Sequence, residues 1–226
     1  ALSAVRDDEG KRTGMSGALR FILIATIPAA IGLILTGRTL ISLLERGAFD
    51  SSASALVYST LQFFTLGLIV HSLLEVIARS FYADKDTVTP FWAALGGAAI
   101  NLVLSFVLSG VNDIDPSLPA SVNQGNVGGL ALANSLGVGF EVIVLLYVLR
   151  RRWSSIRENE IARTLGKTLA ASLVMGLAIV VVNAGWNALG LADRGLVFSI
   201  IQLALEVGVG VLVFAAVAWL LKMEEL

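Results

Sequence analysis

Long apolar runs alternate with short polar stretches along this chain. Six runs are legible, at 19–44, 53–82, 90–110, 127–149, 165–188 and 195–221. Each reaches or exceeds the roughly 20 residues that a helix needs to cross a hydrocarbon core. The pattern predicts an all-α polytopic membrane protein with six transmembrane helices. The first run is interrupted by Pro28, whose missing N–H leaves the carbonyl of Ile24 without its usual partner and predicts a kink. Gly37 and Arg38 fall near the far interface, so TLISLL reads as a short outer continuation.

The polar stretches look like helix junctions. In LLERGAFDSSAS, Arg46 suits a helix C-terminus, Gly47 a left-handed cap, and Asp50, Ser51 or Ser52 the next start. In DTVTPFW, Thr89 is the expected N-cap and Pro90 the first helical residue, where a missing N–H costs nothing.

Composition agrees with a membrane protein. Of 226 residues, 56% are hydrophobic and 15% charged, against about 25% charged in a soluble domain; the mean hydropathy is +0.83. With no cysteine and a single histidine, disulfides, thiolate sites and multi-histidine metal centres are excluded. The leading ALSAVRDDEGKRTG has no initiator methionine and no signal-peptide pattern, so Ala1 is expected to lie inside a longer protein.

The placement of charge says more than its total. Thirteen of the 16 basic residues fall on one predicted side: Arg6, Lys11, Arg12 and Arg20, then Arg79 and Lys85, the run Arg150 to Lys167, and Lys222. The opposite side keeps Arg38, Arg46 and Arg194, and its loop 111–126 carries Asp113 and Asp115 with no basic residue. Basic residues mark the cytoplasmic face, so both ends are expected there. Trp92, Trp153, Trp186 and Trp219 lie near helix ends, where indoles favour the headgroup region. RRRW at 150–153 reads either as a topology signal or as a contact for anionic head groups.

Ionisable groups inside spans are costly and mark candidate sites. His71, Glu75 and Arg79 recur every four residues on one helix face, with Glu75 before Arg79 in the favourable order for an intrahelical pair. They form either a paired stripe facing the bundle or a substrate- or proton-handling face. Ala93, Gly97, Asn101 and Ser105 make a second stripe, answered by Gly129, Ala133 and Gly137, with Asn134 close by. It serves either close helix packing or an oxygen-lined pocket for a hard cation or a head group. Glu141 and Glu206 are lone acids, to be protonated, to face a cavity, or to pair with an arginine from outside the chain. GNVGGLALAN opens an apolar span instead of following a strand, which argues against a phosphate loop.

ERGAFD after the first span, ARSFYADKDTVTP after the second, Asn101 in the third and GGLALANSLG opening the fourth occur in that order. Together they resemble the MurJ/MviN family of bacterial lipid II flippases, within the multidrug/oligosaccharidyl-lipid/polysaccharide exporter superfamily. The motifs cover 1–152; the last two helices fit in hydropathy and position. The resemblance implies 14 helices, of which these are nine to fourteen. It divides the chain into a cytoplasmic segment 1–18, four helices of the C-terminal transport lobe at 19–152, a basic linker 153–164 and a C-terminal helix pair at 165–226.

It also implies a multi-pass transporter, not an enzyme, in the bacterial cytoplasmic membrane. The substrate would be lipid II, an undecaprenyl-pyrophosphate-linked peptidoglycan precursor, moved by alternating access. Its partners would be the preceding helices, which supply most of a cationic cavity, and membrane lipids; no nucleic acid is expected. The last two helices would supply a groove open to lipid. His71, Glu75, Arg79 and Glu141 are the cavity candidates. Some members hold sodium: Asn101 matches one position of that site, Ser105 stands where an acid occurs, and Asn134 where threonine is expected. Sodium or the membrane potential would drive the cycle. Rival readings are an exporter of another polyprenyl-linked oligosaccharide or of drugs, a membrane scaffold, and an intramembrane enzyme built on His71 and Glu75.

Overall fold

The computed structural model describes residues 2–44, 51–110, 127–153, 155–191 and 195–223. Six α-helices follow one another: α1 (Leu2–Ser42), α2 (Ser51–Ala83), α3 (Val88–Leu108), α4 (Val127–Trp153), α5 (Glu158–Ala188) and α6 (Leu196–Leu220). All six contain a stretch long and apolar enough to cross a membrane, and the described residues contain no strand. The six expected spans are therefore present. The turn around Arg46, Gly47 and Asp50, the loop 111–126 with Asp113 and Asp115, and Arg194 lie outside the described residues.

The helices overrun the apolar runs at the basic ends. α1 starts at Leu2 and α5 at Glu158, because an established helix gains a hydrogen bond for each residue added, polar or apolar. Pro28 lies inside α1, which continues past it to Ser42.

Two compact units are distinguished. One comprises Ala1–Ile22 with Phe63–Ala162, the other Leu23–Gln62 with Arg163–Leu226. In the first, Met15 and Leu19 of α1, Ile77 and Phe81 of α2, Ala93 of α3 and Leu145, Leu149 and Trp153 of α4 form the core. Trp153, expected at the headgroup level, is thus buried in protein, whereas Trp92 and Trp219 are exposed near helix ends.

Close backbone approach joins α3 to α4. A β-carbon on Gly137 would lie 2.6 Å from the carbonyl oxygen of Gly97 and 2.9 Å from Cβ of Asn101. One on Gly129 would lie 1.9 Å from the Leu108 carbonyl oxygen. Lipid offers no hydrophobic drive for helix association, so such small-residue contacts hold helices together by packing.

The α2–α3 junction closes by a Schellman arrangement. Lys85 adopts φ 59°, its N–H bonds the Tyr82 carbonyl at 3.0 Å and that of Asp86 the Phe81 carbonyl at 2.9 Å. α6 ends the same way, with Lys222 at φ 48° and Met223 N bonded to the Ala218 carbonyl.

Thr89 is not the N-cap of α3. The helix begins a residue before it, at Val88, and the Asp86 carboxylate accepts the N–H groups of Val88 at 3.1 Å and Thr89 at 2.9 Å and the Thr89 hydroxyl at 2.7 Å. A carboxylate serves those donors, at the positive end of the helix dipole, better than a hydroxyl does. Arg152 of α4 also bonds Asp86, with its guanidinium 5.1 Å from the Phe81 ring centroid. The Thr89 N–H and hydroxyl, then Arg152, hold the Asp86 carboxyl well below the usual carboxylate range.

In the second unit, Gly176 of α5 receives Leu35 and Ile31 of α1, and Gly210 of α6 receives Ile179 and Met175 of α5. Leu173, Leu177 and Val181 of α5 and Val197, Val211 and Leu212 of α6 remain exposed. A helix apolar on its outer face belongs against lipid or protein.

Two outcomes are expected. Gly137→Ala forces α3 and α4 apart and lowers unfolding stability by about 1–3 kcal/mol, whereas Gly139→Ala, with nothing within 4 Å of its β-carbon, leaves the thermal midpoint in detergent nearly unchanged. Asp86 has a folded pKa below its unfolded value of about 3.9, so its stabilising contribution is complete above that pH and fades as pH falls toward the folded value. The stability gap between wild type and Asp86→Ala, followed by chemical unfolding, narrows below about pH 4; a gap constant from neutral pH to pH 2 would exclude the carboxylate cap as its source.

Candidate functional site

His71, Glu75 and Arg79 share one face of α2, and all three are exposed. Arg79 Nη2 donates to Glu75 Oε1 at 2.6 Å, with the side chains 72% and 65% exposed. The intrahelical pair expected from the spacing is formed. The same face carries Phe64, Leu68 and Tyr82, so it is an amphipathic stripe that no helix of this unit covers. The pair uses only part of the guanidinium, which keeps donors for an anion.

The small-residue stripe of α3 behaves differently. Ser105 Oγ donates to Asn101 Oδ1 at 3.1 Å, and both residues are half-buried. Glu141, one turn beyond Gly137, is half-buried with its Cβ beside Gly97, on the same seam. Asn134 turns elsewhere: its Nδ2 lies 3.2 Å from His71 Nε2, an approach that uses Nε2 as acceptor with the ring proton on Nδ1. Asn101 and Ser105 are thus together, while Asn134 joins His71 instead. Among the described residues no three His, Asp or Glu side chains gather as a metal cluster.

The second unit holds a polar constellation that the sequence signalled only as the lone acid Glu206. Its side chain is 0% exposed. Oε1 accepts from Gln202 Nε2 at 2.9 Å, Asn183 Nδ2 at 3.1 Å and, at the long distance of 3.4 Å, Thr39 Oγ1. Asn187 Nδ2 in turn donates to Asn183 Oδ1 at 2.8 Å. The only signals in the sequence were two polar pairs at helical spacing, Gln202 with Glu206 and Asn183 with Asn187.

That unit also has an apolar groove of about 410 Å³, walled by Pro28 and Gly32 of α1, Met175 and Ile179 of α5 and Val207 and Phe214 of α6. Helices α5 and α6 were expected to make such a groove; α1 supplies its third wall. Pro28 and Gly32 carry little or no side chain there, which leaves room between the helices.

Comparison with known proteins places these features in context. A family model described as lipid II flippase MurJ matches residues 1–201. A probable lipid II flippase MurJ of Rhizobium tropici is 31% identical over 90% of this chain and 36% of its own length. One of Thermotoga maritima is 28% identical over 100% of this chain and 41% of its own. The chain therefore spans about two fifths of the length of these curated relatives. A solved lipid II flippase MurJ in an inward closed conformation superimposes with a TM-score of 0.70 at 23% identity, over 97% of this chain and 41% of that one, which shows a shared fold. The chain belongs to the MurJ lipid II flippase family.

Proposed function

We propose that this chain is the C-terminal part of a lipid II flippase, supplying helices nine to fourteen of fourteen. The observation that carries the reading is the match of residues 1–201 to that family. The apolar groove and the charged α2 face are what a transporter of an amphiphile needs. A substrate with a polyprenyl tail and a pyrophosphate head requires an apolar track and a hydrated, cation-bearing surface at once. In the alternating-access cycle, the head group occupies a central cavity while the tail stays in contact with the bilayer.

Within that reading each residue has a role. The exposed face with His71, Glu75 and Arg79 turns toward the cavity, and Arg79 is positioned at its cytoplasmic rim, where a guanidinium binds phosphate bidentately. Glu141 borders the cavity along the α3–α4 seam. Asn101 and Ser105 supply oxygens toward sodium, without Asn134, which is held on His71. The groove between α5, α6 and Pro28 of α1 receives hydrocarbon. Residues 19–152 act as four helices of a transport lobe, 153–164 as a basic linker, and 165–226 as the terminal pair. The basic bias puts both ends of the segment in the cytoplasm of a bacterial inner membrane. The cycle transports without covalent catalysis.

Complementation tests the reading: the full-length gene is expressed in bacteria depleted of their own lipid II flippase. Survival is expected. Death despite confirmed membrane insertion would move the assignment to an exporter of another polyprenyl-linked sugar. In the same assay Glu75→Lys is expected to reduce rescue by roughly tenfold or more in viable count, since it sets two cations four residues apart. The Glu75→Arg/Arg79→Glu exchange restores most of it; equal damage from both would dismiss the pairing. Asn101→Ala, which removes the acceptor of Ser105 without enlarging the residue, is expected to abolish any sodium dependence of transport arising at the α3–α4 seam. Unchanged dependence leaves Asn101 a packing role alone.

A further inference from the structure

Pro28 has no N–H to give the Ile24 carbonyl, and its ring crowds that same carbonyl. The helix nevertheless continues through both residues. Ile24 is 5% exposed and packs with Ala218 of α6 and Met223 just beyond it. A backbone acceptor without its helical partner therefore lies in an apolar setting, where neighbouring helices have to answer it.

Two hydroxyls of the same unit have the converse need. Thr168 and Ser172 of α5 are 0% exposed, and neither oxygen has a hydrogen-bond partner among the described residues. They lack even the bond to their own helix that Thr36, Thr60 and Ser135 make. The register of the helices brings these groups to one level. Gly176 of α5 faces Ile31 and Leu35 of α1, and further along both helices Asn183 and Thr39 meet on Glu206, so α1 and α5 run in the same direction. Four and eight residues before Gly176, Ser172 and Thr168 come level with 27–31 and 23–27 of α1. A proline kink opens a helix on the proline's own face and turns the released carbonyl outward. Here that face borders the apolar groove shared with Met175 of α5 and Phe214 of α6, which leaves α1 room to bend.

We propose that Pro28 is a hinge in α1, and that the Thr168 and Ser172 hydroxyls are the donors that meet its Ile24 carbonyl when the helix bends. In the arrangement described here the hydroxyls are unpaired; in the bent one donor and acceptor satisfy each other. That exchange offsets the strain of bending and moves the α1 wall of the groove, while the Glu206 hydrogen bonds hold α1, α5 and α6 together further along. The inference does not rest on lipid II being the substrate.

The test uses the purified full-length protein in detergent, with amide hydrogen exchange read by mass spectrometry on the part of α1 around Pro28, beside the thermal midpoint. Thr168→Val with Ser172→Ala removes both donors and so disfavours the bent arrangement. Exchange around Pro28 is expected to slow by roughly threefold or more, the worth of about one net hydrogen bond. The midpoint should hold or rise, since two unpaired buried hydroxyls are gone. Pro28→Ala returns an N–H to the Ile24 carbonyl and should slow the same exchange. In that background the hydroxyl changes should add nothing further. Thr168→Ser, which keeps the oxygen, should behave as wild type. Faster exchange with a lowered midpoint would give the hydroxyls a packing role alone and overturn the hinge. Unchanged exchange overturns it too, as do effects that simply add in the Pro28→Ala background. Should the double variant fail to fold, Ser172→Ala alone is put through the same comparison, with the same signs deciding.

Discussion

Hydrocarbon offers no hydrogen bonds, so every polar group placed there must be answered from within the protein. That constraint organises both units. Backbone groups are satisfied within continuous helices, and several hydroxyls return to their own helix, as when Thr36 bonds the Gly32 carbonyl and Thr60 that of Leu56. Ser135 does both, donating to Ala131 of its own helix and to Phe63 of α2. With polar groups occupied in this way, the helices are free to associate through backbone contact at Gly97 and Gly137. Side-chain chemistry that exceeds these local needs is therefore sparse and easily recognised.

The two units divide that excess between them. The first carries an open charged stripe on α2 and a tight amide–hydroxyl seam between α3 and α4. The second carries an apolar groove and one enclosed acid. Beyond the polar first turns of α5, which carry Glu158, Glu160, Arg163 and Lys167, the exposed residues of α5 and α6 are mostly apolar, such as Leu173, Leu177, Val211 and Leu212.

The spans were legible from the sequence because apolar length alone specifies them, without knowledge of any neighbour. What escaped was set by groups distant in the chain. Thr89 was the expected cap, and Asp86 takes that part because Lys85 turns the chain into the left-handed region and Arg152, 66 residues on, reaches the carboxylate. Asn134 seemed to belong with Asn101, yet three residues before Gly137 it is rotated about 60° around the helix, enough to meet His71 instead. Glu206 was visible as an acid but not as a cluster, since Thr39 lies 167 residues away. The pair Glu75–Arg79 was legible for the converse reason: both partners lie on one helix.

The lysines that end α2 and α6 carry a consequence beyond the folded backbone. Glycine is the residue usually suited to a left-handed cap, and it would relieve the strain at Lys85 and Lys222. It would also erase positive charges from the side that the basic bias marks, and during insertion such charges are what fixes which way a span enters the bilayer. A substitution that makes the finished protein more comfortable would thus weaken the instruction by which it is threaded.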